Sequence, residues 1–261
     1  MDRERLMSHL KSEQERQIGI RVIDAAQLAW KVNRPQITDF YDPYEQKVAR
    51  SVLSAIAEVG VMEFGGYRRA ERARLAIYPQ FFLTEAIAVP VRVLQAKGNF
   101  SFAKVKHGDY LGSLIGLGLK REKIGDIICL ADGCQVVVAA EIADFILQHW
   151  HQVHEVSIDV REIDPEQIAV EPERVREIKA TVASLRLDAV AAAGFGTSRT
   201  KIAREIKGER VKVNWKLVNN PAHEINPGDV LSIRGRGRVV VEQITGTTKK
   251  GRIGLVLKRM I

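Results

Sequence analysis

The sequence predicts an α+β protein of three successive domains, and three observations support this fold class. Apolar residues recur at helical spacing near the N-terminus. Helix-type and strand-type patterns then alternate in the order β-α-β-β-α-β. The last 81 residues hold sixteen basic and six acidic side chains, a net charge of +10 in a chain whose total is +8. We therefore expect a mostly helical N-terminal domain over residues 1–80, a central domain over 81–165, a linker over 166–180 and a basic C-terminal domain over 181–261.

The composition excludes several classes of protein. Hydrophobic residues make up 46% and charged residues 28% of the 261 positions, as in ordinary globular proteins. No apolar run approaches the ~18 residues that a membrane-spanning helix needs, and the charged segment Met1–Arg5 leads into no apolar core. Cys129 and Cys134 are too few for a disulfide scaffold. We expect a cytoplasmic protein with no signal peptide and no membrane partner.

The N-terminal domain is predicted to contain two helices. Residues 1–31 carry apolar side chains every three to four positions, and Pro35 limits this helix because the residue before a proline is biased away from helical geometry. A second helix is predicted over Pro43–Val59, with Asp42 as its N-cap. Gly65-Gly66 then predicts a turn, and the charge run Arg68–Arg74 is either a basic rim or a solvated turn.

The central domain is predicted to have the split βαβ, or ferredoxin-like, arrangement that RNA-recognition motif (RRM) modules also use. Strands are predicted over Val89–Ala96, Gly125–Leu130, Gln135–Ala140 and Glu155–Ile163, and helices over Asp109–Leu119 and Glu141–Trp150. The segment Cys134–Ala140 contains no Phe or Tyr, so the aromatic RNA-stacking signature of RRM modules is missing. If this domain contacts RNA, we expect it to do so by another route than stacking on the sheet.

The basic domain begins with two predicted helices. The first spans Ser184–Ala193, and the second runs to Lys207 after a Gly194-Phe195-Gly196 turn, with Thr197 or Ser198 as its cap. At 100° per residue, Ile202 and Ile206 point to one side of the second helix. The basic residues Lys201, Arg204 and Lys207 form a stripe on roughly the opposite side.

A small sheet is predicted to follow these helices. Val211–Val213 and Val230–Arg234 read as strands, and Asn226-Pro227-Gly228-Asp229 reads as a turn that needs a positive φ at Gly228. Apolar strands over Val239–Ile244 and Arg252–Leu257 form an added hairpin, with Lys249-Lys250 in its loop. Short basic hairpins are often simply solvated, so RNA contact by this hairpin is one of two open interpretations.

This C-terminal pattern resembles the S4-type RNA-binding domain, the αL motif of ribosomal protein S4 and of many RNA-modifying enzymes. The matching residues are Arg186-Leu187-Asp188, Ala191, Ser198-Arg199, Ala203, Ile206, Gly208, Val211, Val213-Asn214, Val218 and Pro227-Gly228-Asp229. In that family the second helix and the loop after it hold structured RNA. The resemblance therefore implies RNA contacts by Ser198, Arg199, Lys201, Arg204, Lys207, Lys212 and Asn214.

Elementary electrostatics agrees with this interpretation. Lysine and arginine on a helix meet phosphate oxygens, and such contacts position a protein without reading base sequence. We therefore expect recognition of folded RNA by its shape. The same charge argument adds further basic residues to the predicted RNA-binding set: Arg186, Lys216, Arg234, Arg236 and Arg238.

The remainder of the chain resembles the YlmH family of bacterial S4-domain proteins, which is related to the cyanobacterial photosystem II S4-domain protein. The residues that carry this resemblance are Arg34-Pro35, Thr38-Asp39-Phe40, Asp42-Pro43, Glu45, Gly65-Gly66-Tyr67, Ala70-Glu71-Arg72, Tyr78-Pro79, Phe102, His107, Asp109-Tyr110-Leu111-Gly112, Leu117-Gly118, Arg121 and Ile124-Gly125-Asp126-Ile127. The resemblance implies a cytoplasmic RNA-binding protein associated with the large ribosomal subunit, with rescue of stalled nascent chains on peptidyl-tRNA and, in some bacteria, with cell division. Gly108 departs from the pattern, because arginine is expected there.

Two other function classes remain open. An RNA-modifying enzyme, such as a pseudouridine synthase, would carry its catalytic aspartate in Gly-Arg-Leu-Asp, and Arg186-Leu187-Asp188 lacks that glycine. A methyltransferase would need a Gly-rich cofactor loop after a strand, whereas Gly112–Gly118 lies in a helical pattern. A protein-interaction scaffold, with protein partners bound through residues 1–165, is the third class. We predict no catalytic residue and no cofactor.

Two clusters of polar residues have alternative interpretations. His107 and Asp109 form either an acid/base pair or a capped helix start, and the second is favoured. His149, His151 and His154 near the two cysteines suggest metal only superficially, because their spacing fits no four-ligand site. We predict no metal site.

Overall fold

The computed structural model describes residues 2–100, 103, 105–169, 175–248 and 251–260. Phe102, the Lys249-Lys250 pair and part of the predicted linker lie outside the described residues. The chain separates into two compact units, Met1–Val170 and Glu171–Ile261. The three-domain division stays a prediction within this two-unit arrangement.

The N-terminal part combines helices with a three-stranded antiparallel sheet. The helices are α1 (Arg3–Met7), α2 (Glu13–Val32) and α3 (Pro43–Leu53), and the strands are β1 (Gln36–Tyr41), β2 (Val59–Phe64) and β3 (Ala73–Pro79), in the order β1-β3-β2. The predicted single helix over residues 1–31 is wrong, because Ser12 and Glu15 form a capping box that starts a new helix. The helix predicted to reach Val59 ends at Leu53, and Val59 instead begins β2.

The start of α3 was predicted correctly. The Asp42 carboxylate accepts hydrogen bonds from the backbone N–H groups of Tyr44 (3.0 Å) and Glu45 (2.9 Å). The Glu45 carboxylate accepts one in return from the Asp42 N–H (2.8 Å). Val48 and Val52 of α3 pack with Val22 and Ile23 of α2 in the core of this part.

The central part has the predicted β-α-β-β-α-β order. Its elements are β4 (Val91–Gly98), α4 (His107–Gly116), β5 (Ile124–Leu130), β6 (Gly133–Ala139), α5 (Ala140–His149), β7 (Gln152–Val153) and β8 (Val156–Ile163). The sheet order is β5-β6-β4-β8-β7, and all neighbouring strands are antiparallel. Without the two-residue strand β7, this is the strand order of the split βαβ arrangement.

Both faces of the central sheet are covered. On one face, Val136 and other side chains form a core with Leu114 of α4 and Ile146 of α5. On the other face, Val93 and Val137 cluster with Phe40 of β1. All seven residues of β6 are buried as a result. The N-terminal sheet approaches this face so closely that a Cβ atom on Gly66 would lie 2.8 Å from Val137 Cγ1.

The segment after β8 closes the same face. Gln135, on β6, donates through Nε2 to the Gln167 carbonyl (3.1 Å), and its Oε1 accepts from the Ala169 N–H (2.7 Å). Ile163 and Ile168 join the cluster around Phe40. The face on which RRM modules stack bases is therefore closed by this chain's own residues.

The charge run Arg68–Arg74 has two parts rather than one uniform rim. Arg68 and Arg69 are exposed. Arg74 is buried, and its guanidinium donates to the carbonyls of Thr38 (2.8 Å) and Pro90 (2.8 Å) and to the Glu141 carboxylate (2.9 Å). Arg74 thus holds the N-terminal sheet to the central part, and it is not a surface cation.

The C-terminal unit is a six-stranded antiparallel sheet with two helices. Its elements are β9 (Val175–Val182), α6 (Leu187–Phe195), α7 (Arg199–Lys207), β10 (Val211–Val213), β11 (Lys216–Leu217), β12 (Val230–Ile233), β13 (Gly237–Thr247) and β14 (Ile253–Met260). The strand order is β11-β10-β12-β13-β14-β9. Helix α6 begins at Leu187, three residues after the predicted start.

The prediction of a linker over 166–180 is wrong for residues 175–180, because they belong to β9 and pair with β14. This edge strand has one hydrogen-bonded neighbour, and most of its side chains are exposed and polar. Only Ile178, Ala180 and Val182 turn inward, and three apolar residues among charges are a weak strand signal. Among the described residues, no helix is both long enough and apolar enough to cross a membrane.

Candidate nucleic-acid interface

The predicted helix pair is present as α6 and α7, but α6 runs to Phe195 and so includes two residues of the predicted Gly194-Phe195-Gly196 turn. Gly196 ends α6 in the left-handed conformation (φ 62°), and the Ser198 hydroxyl accepts a hydrogen bond from the Lys201 N–H (3.3 Å) at the start of α7. Ile202 and Ile206 are fully buried in the core of the unit. This burial fixes the rotation of α7, so Lys201, Arg204 and Lys207 form an exposed basic stripe.

Asp188 organises two of the predicted RNA-binding arginines. Its nearly buried carboxylate lies 3.2 Å from Arg186 Nη2 and 3.0 Å from Arg199 Nη2. Burial acts to raise the pKa of Asp188, but the hydrogen bonds from the two guanidinium groups outweigh burial and leave it below its ordinary value. Asp188 is therefore a charged anchor that positions Arg186 and Arg199 at the start of the two helices.

Glu205 plays a similar part at the other end of α7. Its carboxylate lies 3.6 Å from Arg210 Nη1 and 3.5 Å from Arg236 Nη2. The N–H of Arg234, which is exposed, donates to the Arg210 carbonyl (3.1 Å). The predicted residues Arg234 and Arg236 thus lie beside the end of α7, joined to it through Glu205 and Arg210.

Asn214 holds the hairpin turn between β10 and β11 in place. Its Nδ2 donates to Asp229 Oδ1 (2.7 Å), and its Oδ1 accepts from the Val230 N–H (2.9 Å). Its own N–H donates to the Val230 carbonyl (2.8 Å). Direct RNA contact by Asn214 stays a prediction, while the structure gives its side chain a positioning role.

Two of the remaining predicted residues, Lys212 and Arg238, lie on the face of the C-terminal sheet that points away from the core. Lys212 pairs with Ser232, and Ser232 pairs with Arg238, which places the two basic residues in one row across three strands. Lys216 on β11 pairs with Val213, whose side chain is buried in the core, so the register places Lys216 on the opposite face from this row. The predicted set is therefore divided: most of it lies on α7 and the segments joined to it, Lys212 and Arg238 lie on the outer face of the sheet, and Lys216 lies at the β11 edge.

Sequence reasoning missed Trp215. Its indole ring lies 5.9 Å from the Arg238 guanidinium carbon and next to Asn214 in the turn. The sequence did contain a signal for this residue, because two-residue hairpin turns favour Asn-Gly and this chain has Asn-Trp.

The two polar clusters raised from the sequence have structural roles. The Asp109 carboxylate accepts from the Lys106 N–H (2.8 Å) at the start of α4 and lies 3.0 Å from His154 Nε2. Both contacts lower the pKa of Asp109, and the backbone hydrogen bond from Lys106 lowers it more than the contact with His154 does. His149 pairs with the Phe145 carbonyl (2.9 Å) in the last turn of α5. Within the described ranges, no group of three or more His, Cys, Asp or Glu residues is arranged to hold a metal ion.

Three family models match successive parts of the chain. They are described as "YlmH, N-terminal" (residues 14–81), "Putative RNA-binding domain in YlmH" (residues 89–167) and "S4 domain" (residues 185–231). The ribosome-associated protein quality control protein P2 of Bacillus subtilis is 38% identical over 226 residues, which cover 87% of this chain and 88% of that protein. The small ribosomal subunit protein uS4 of Desulfotalea psychrophila is 34% identical over 70 residues, or 25% of this chain and 33% of that protein.

A solved structure has the same fold over part of the chain. The cell division protein YlmH from Streptococcus pneumoniae aligns with a TM-score of 0.52 at 19% identity, covering 60% of this chain and 96% of that chain. The three family models and the B. subtilis relative, which extends over most of both chains, establish the family. This chain belongs to the YlmH family of S4-domain proteins.

Proposed function

We propose that this protein is a non-catalytic, ribosome-associated factor that binds structured rRNA or tRNA through its S4 domain. The observation that carries the proposal is the exposed stripe of Lys201, Arg204 and Lys207 on a helix whose opposite side is fully buried. Three exposed cations on one side of a helix can contact several phosphates of a folded RNA. The net charge of +10 over residues 181–261 adds long-range attraction for a polyanion.

The ribosomal context of the proposal comes from the relatives. One relative is named a ribosome-associated protein quality control protein, and another is a protein of the small ribosomal subunit. We propose the large subunit carrying a stalled nascent chain on peptidyl-tRNA as the target, and the cytoplasm as its location. The name of the S. pneumoniae protein supports a link to cell division in some bacteria.

A binding role suits the chemistry of Asp188 better than catalysis does. The carboxylate is engaged by both Arg186 and Arg199, so it is held charged and acts to position these two side chains. The rival proposal, an RNA-modifying enzyme, requires that RNA incubated with the protein and a cofactor gains altered nucleosides. Mass spectrometry of digested RNA would detect them, and their appearance would contradict a non-catalytic role.

The stripe can be tested with a charge-matched pair of triple variants. K201A/R204A/K207A removes the three exposed cations of α7, while K11A/K31A/K47A removes three exposed cations from the N-terminal part. Binding to purified large ribosomal subunits and to bulk tRNA is measured over a range of salt concentrations. We expect the α7 variant to bind more weakly and to lower the salt slope by up to about one unit per lost phosphate contact.

The control variant separates local contact from total charge. We expect K11A/K31A/K47A to retain most of the affinity and the salt slope, because its cations lie outside the S4 domain. Equal losses in the two variants would show that net charge alone governs binding. An unchanged affinity and slope in a folded K201A/R204A/K207A protein would remove the assignment of the stripe.

A further inference from the structure

Trp215 occupies a backbone conformation that a large side chain rarely adopts. Asn214 (φ 49°) and Trp215 (φ 65°) form the two-residue loop between Val213 and Lys216, and two successive positive φ values define a type I′ turn. Glycine fits the second position without steric cost, whereas a bulky residue there is a genuine outlier. Such outliers concentrate at functional sites, where the side chain is needed despite the strain.

The core of the unit does not account for this tryptophan. Among the described residues, the hydrophobic cluster of the C-terminal unit includes Ile202, Leu231 and Val239, but Trp215 is not part of it. The indole is only partly buried and lies against the Arg238 guanidinium on the open face of the sheet. Its position therefore suits contact with a ligand better than stabilisation of the fold.

The surroundings of the ring indicate the chemistry of that ligand. Arg238 lies beside the ring, and Lys212 is exposed in the same row across the strands as Arg238. An aromatic face with two cations on the same side of the sheet matches a nucleotide, whose base has a π face and whose flanking phosphates are negative. A base pair inside a helix is stacked on both sides and presents no free face, so an unpaired nucleotide fits this ring better.

The turn is also held in advance of binding. Three hydrogen bonds join Asn214 to Asp229 and Val230, and Asp229 Oδ2 accepts a further one from the Asn226 N–H (2.8 Å). Gly228, with φ 89°, supplies the positive φ that the neighbouring turn over residues 226–229 needs. Because the backbone around Trp215 is fixed, little conformational entropy is lost when a base stacks on the ring.

We propose that Trp215 stacks on an unpaired base of the bound RNA, while Lys212 and Arg238 contact the flanking phosphates. This inference rests on the proposed function, since it assumes that the S4 domain binds RNA. It adds to that function a second contact surface, on the sheet, and a preference for RNA with a bulged or flipped-out nucleotide.

The test uses two synthetic RNA stems and three variants of the full chain. One stem carries a single bulged 2-aminopurine, and the other is the same stem fully paired. In W215G, glycine relieves the positive φ at position 215, so this variant should fold at least as well as the wild type. W215F keeps an aromatic face, and K201A/R204A/K207A removes the α7 stripe.

We expect W215G to bind the bulged stem about 5- to 150-fold more weakly, and to bind the paired stem as the wild type does. The wild type should quench 2-aminopurine fluorescence on binding, W215G should not, and W215F should retain most of the affinity. The stacking assignment is overturned if W215G binds the bulged stem like the wild type, if it weakens both stems equally, or if W215F loses as much affinity as W215G.

The stripe variant distinguishes this inference from the proposed function. If K201A/R204A/K207A weakens both stems while W215G weakens neither, the S4 domain binds RNA and the stacking assignment is wrong. If the wild type binds neither stem at low salt, the proposed function itself fails. If the stripe variant binds both stems as the wild type does, the assignment of the α7 stripe fails.

Discussion

The central sheet and the C-terminal sheet are built alike but differ in what covers their second face. Both are antiparallel sheets with two helices packed on one side. In the central sheet the other side is closed by Phe40 and by the segment that Gln135 holds, and β6 is completely buried. In the C-terminal sheet the other side carries Lys212, Arg238 and a half-buried Val240.

Strand order alone therefore does not define a nucleic-acid interface. The central part has the strand order of an RRM module, and yet the face that such modules use is a packed interior. RNA contact by the central part would have to use its loops or edges, and the exposed pair Arg68 and Arg69 belongs to the N-terminal part. The open, basic face belongs to the C-terminal sheet.

Among the tests of this comparison, replacing Phe40 should cause the largest loss of stability. Phe40 is 1% exposed and lies at the centre of the cluster that closes the central sheet. F40A should lower the free energy of unfolding by about 3–5 kcal/mol, through lost burial and the cavity it leaves. Native-state hydrogen exchange is the measurement, because it reports protection of the β6 amides separately from those of the C-terminal unit.

V240A is the matched control for F40A. Val240 is the apolar residue of β13 between Val239 and Val241, and it points to the open face of the C-terminal sheet. We expect V240A to cost under about 1 kcal/mol, since much of its surface is already in water. Equal losses in F40A and V240A would contradict the distinction between a closed and an open face.

Two glycines with the same backbone angle give a second test, with a smaller effect. Gly66 and Gly228 both have φ 89°, but a Cβ on Gly66 would lie 2.8 Å from Val137 Cγ1, whereas a Cβ on Gly228 would meet nothing within 4 Å. G228A should lower the free energy of unfolding by about 1–2 kcal/mol, from the positive φ alone. G66A should have the same cost from its positive φ and lose about 1–3 kcal/mol more from overpacking against the closed face.

The difference between G66A and G228A measures how tightly the central sheet is covered. Urea denaturation of each variant gives the free energy of unfolding, and hydrogen exchange assigns the loss to one unit or the other. If G66A costs no more than G228A, the N-terminal sheet does not press on Val137 in solution.

Sequence patterns predicted the elements that obey a simple period or a local capping rule. The buried pair Ile202 and Ile206 gave the orientation of α7, and Asp42 followed by Pro43 gave the start of α3. The β-α-β-β-α-β order followed for the same reason, since each of its segments has a clear period. These features depend on residues close together in the sequence.

The features that were missed depend on contacts between distant residues. Strand β9 is stabilised by pairing with β14, about eighty residues later, so its mixed composition looked like a linker. The role of Arg74 as a buried tie depends on Glu141, and the closure of the sheet depends on Phe40 meeting Val137. In each case the local sequence was compatible with a surface position, and only the tertiary partner shows otherwise.

The ion pair between Arg74 and Glu141 should give the smallest effect on stability, and this effect should be lost in acid. Burial acts to raise the pKa of Glu141, but hydrogen bonds from Arg74 and Lys123 outweigh it and lower that pKa from 4.5 to about 2. A carboxylate with a depressed pKa stabilises the folded state fully above its unfolded pKa, and this contribution is lost as the pH falls from about 4.5 towards 2.

E141Q removes the titrating group and keeps the shape of the side chain. At neutral pH the wild type should be more stable than E141Q by under about 1 kcal/mol, because the Glu141 carboxylate is partly exposed and screened by solvent. The gap should narrow below pH 4.5 and disappear near pH 2, as followed by urea denaturation at a series of pH values. A gap that stayed constant over this range would show that Glu141 contributes packing rather than charge, and the tie at Arg74 would then depend on the carbonyls of Thr38 and Pro90.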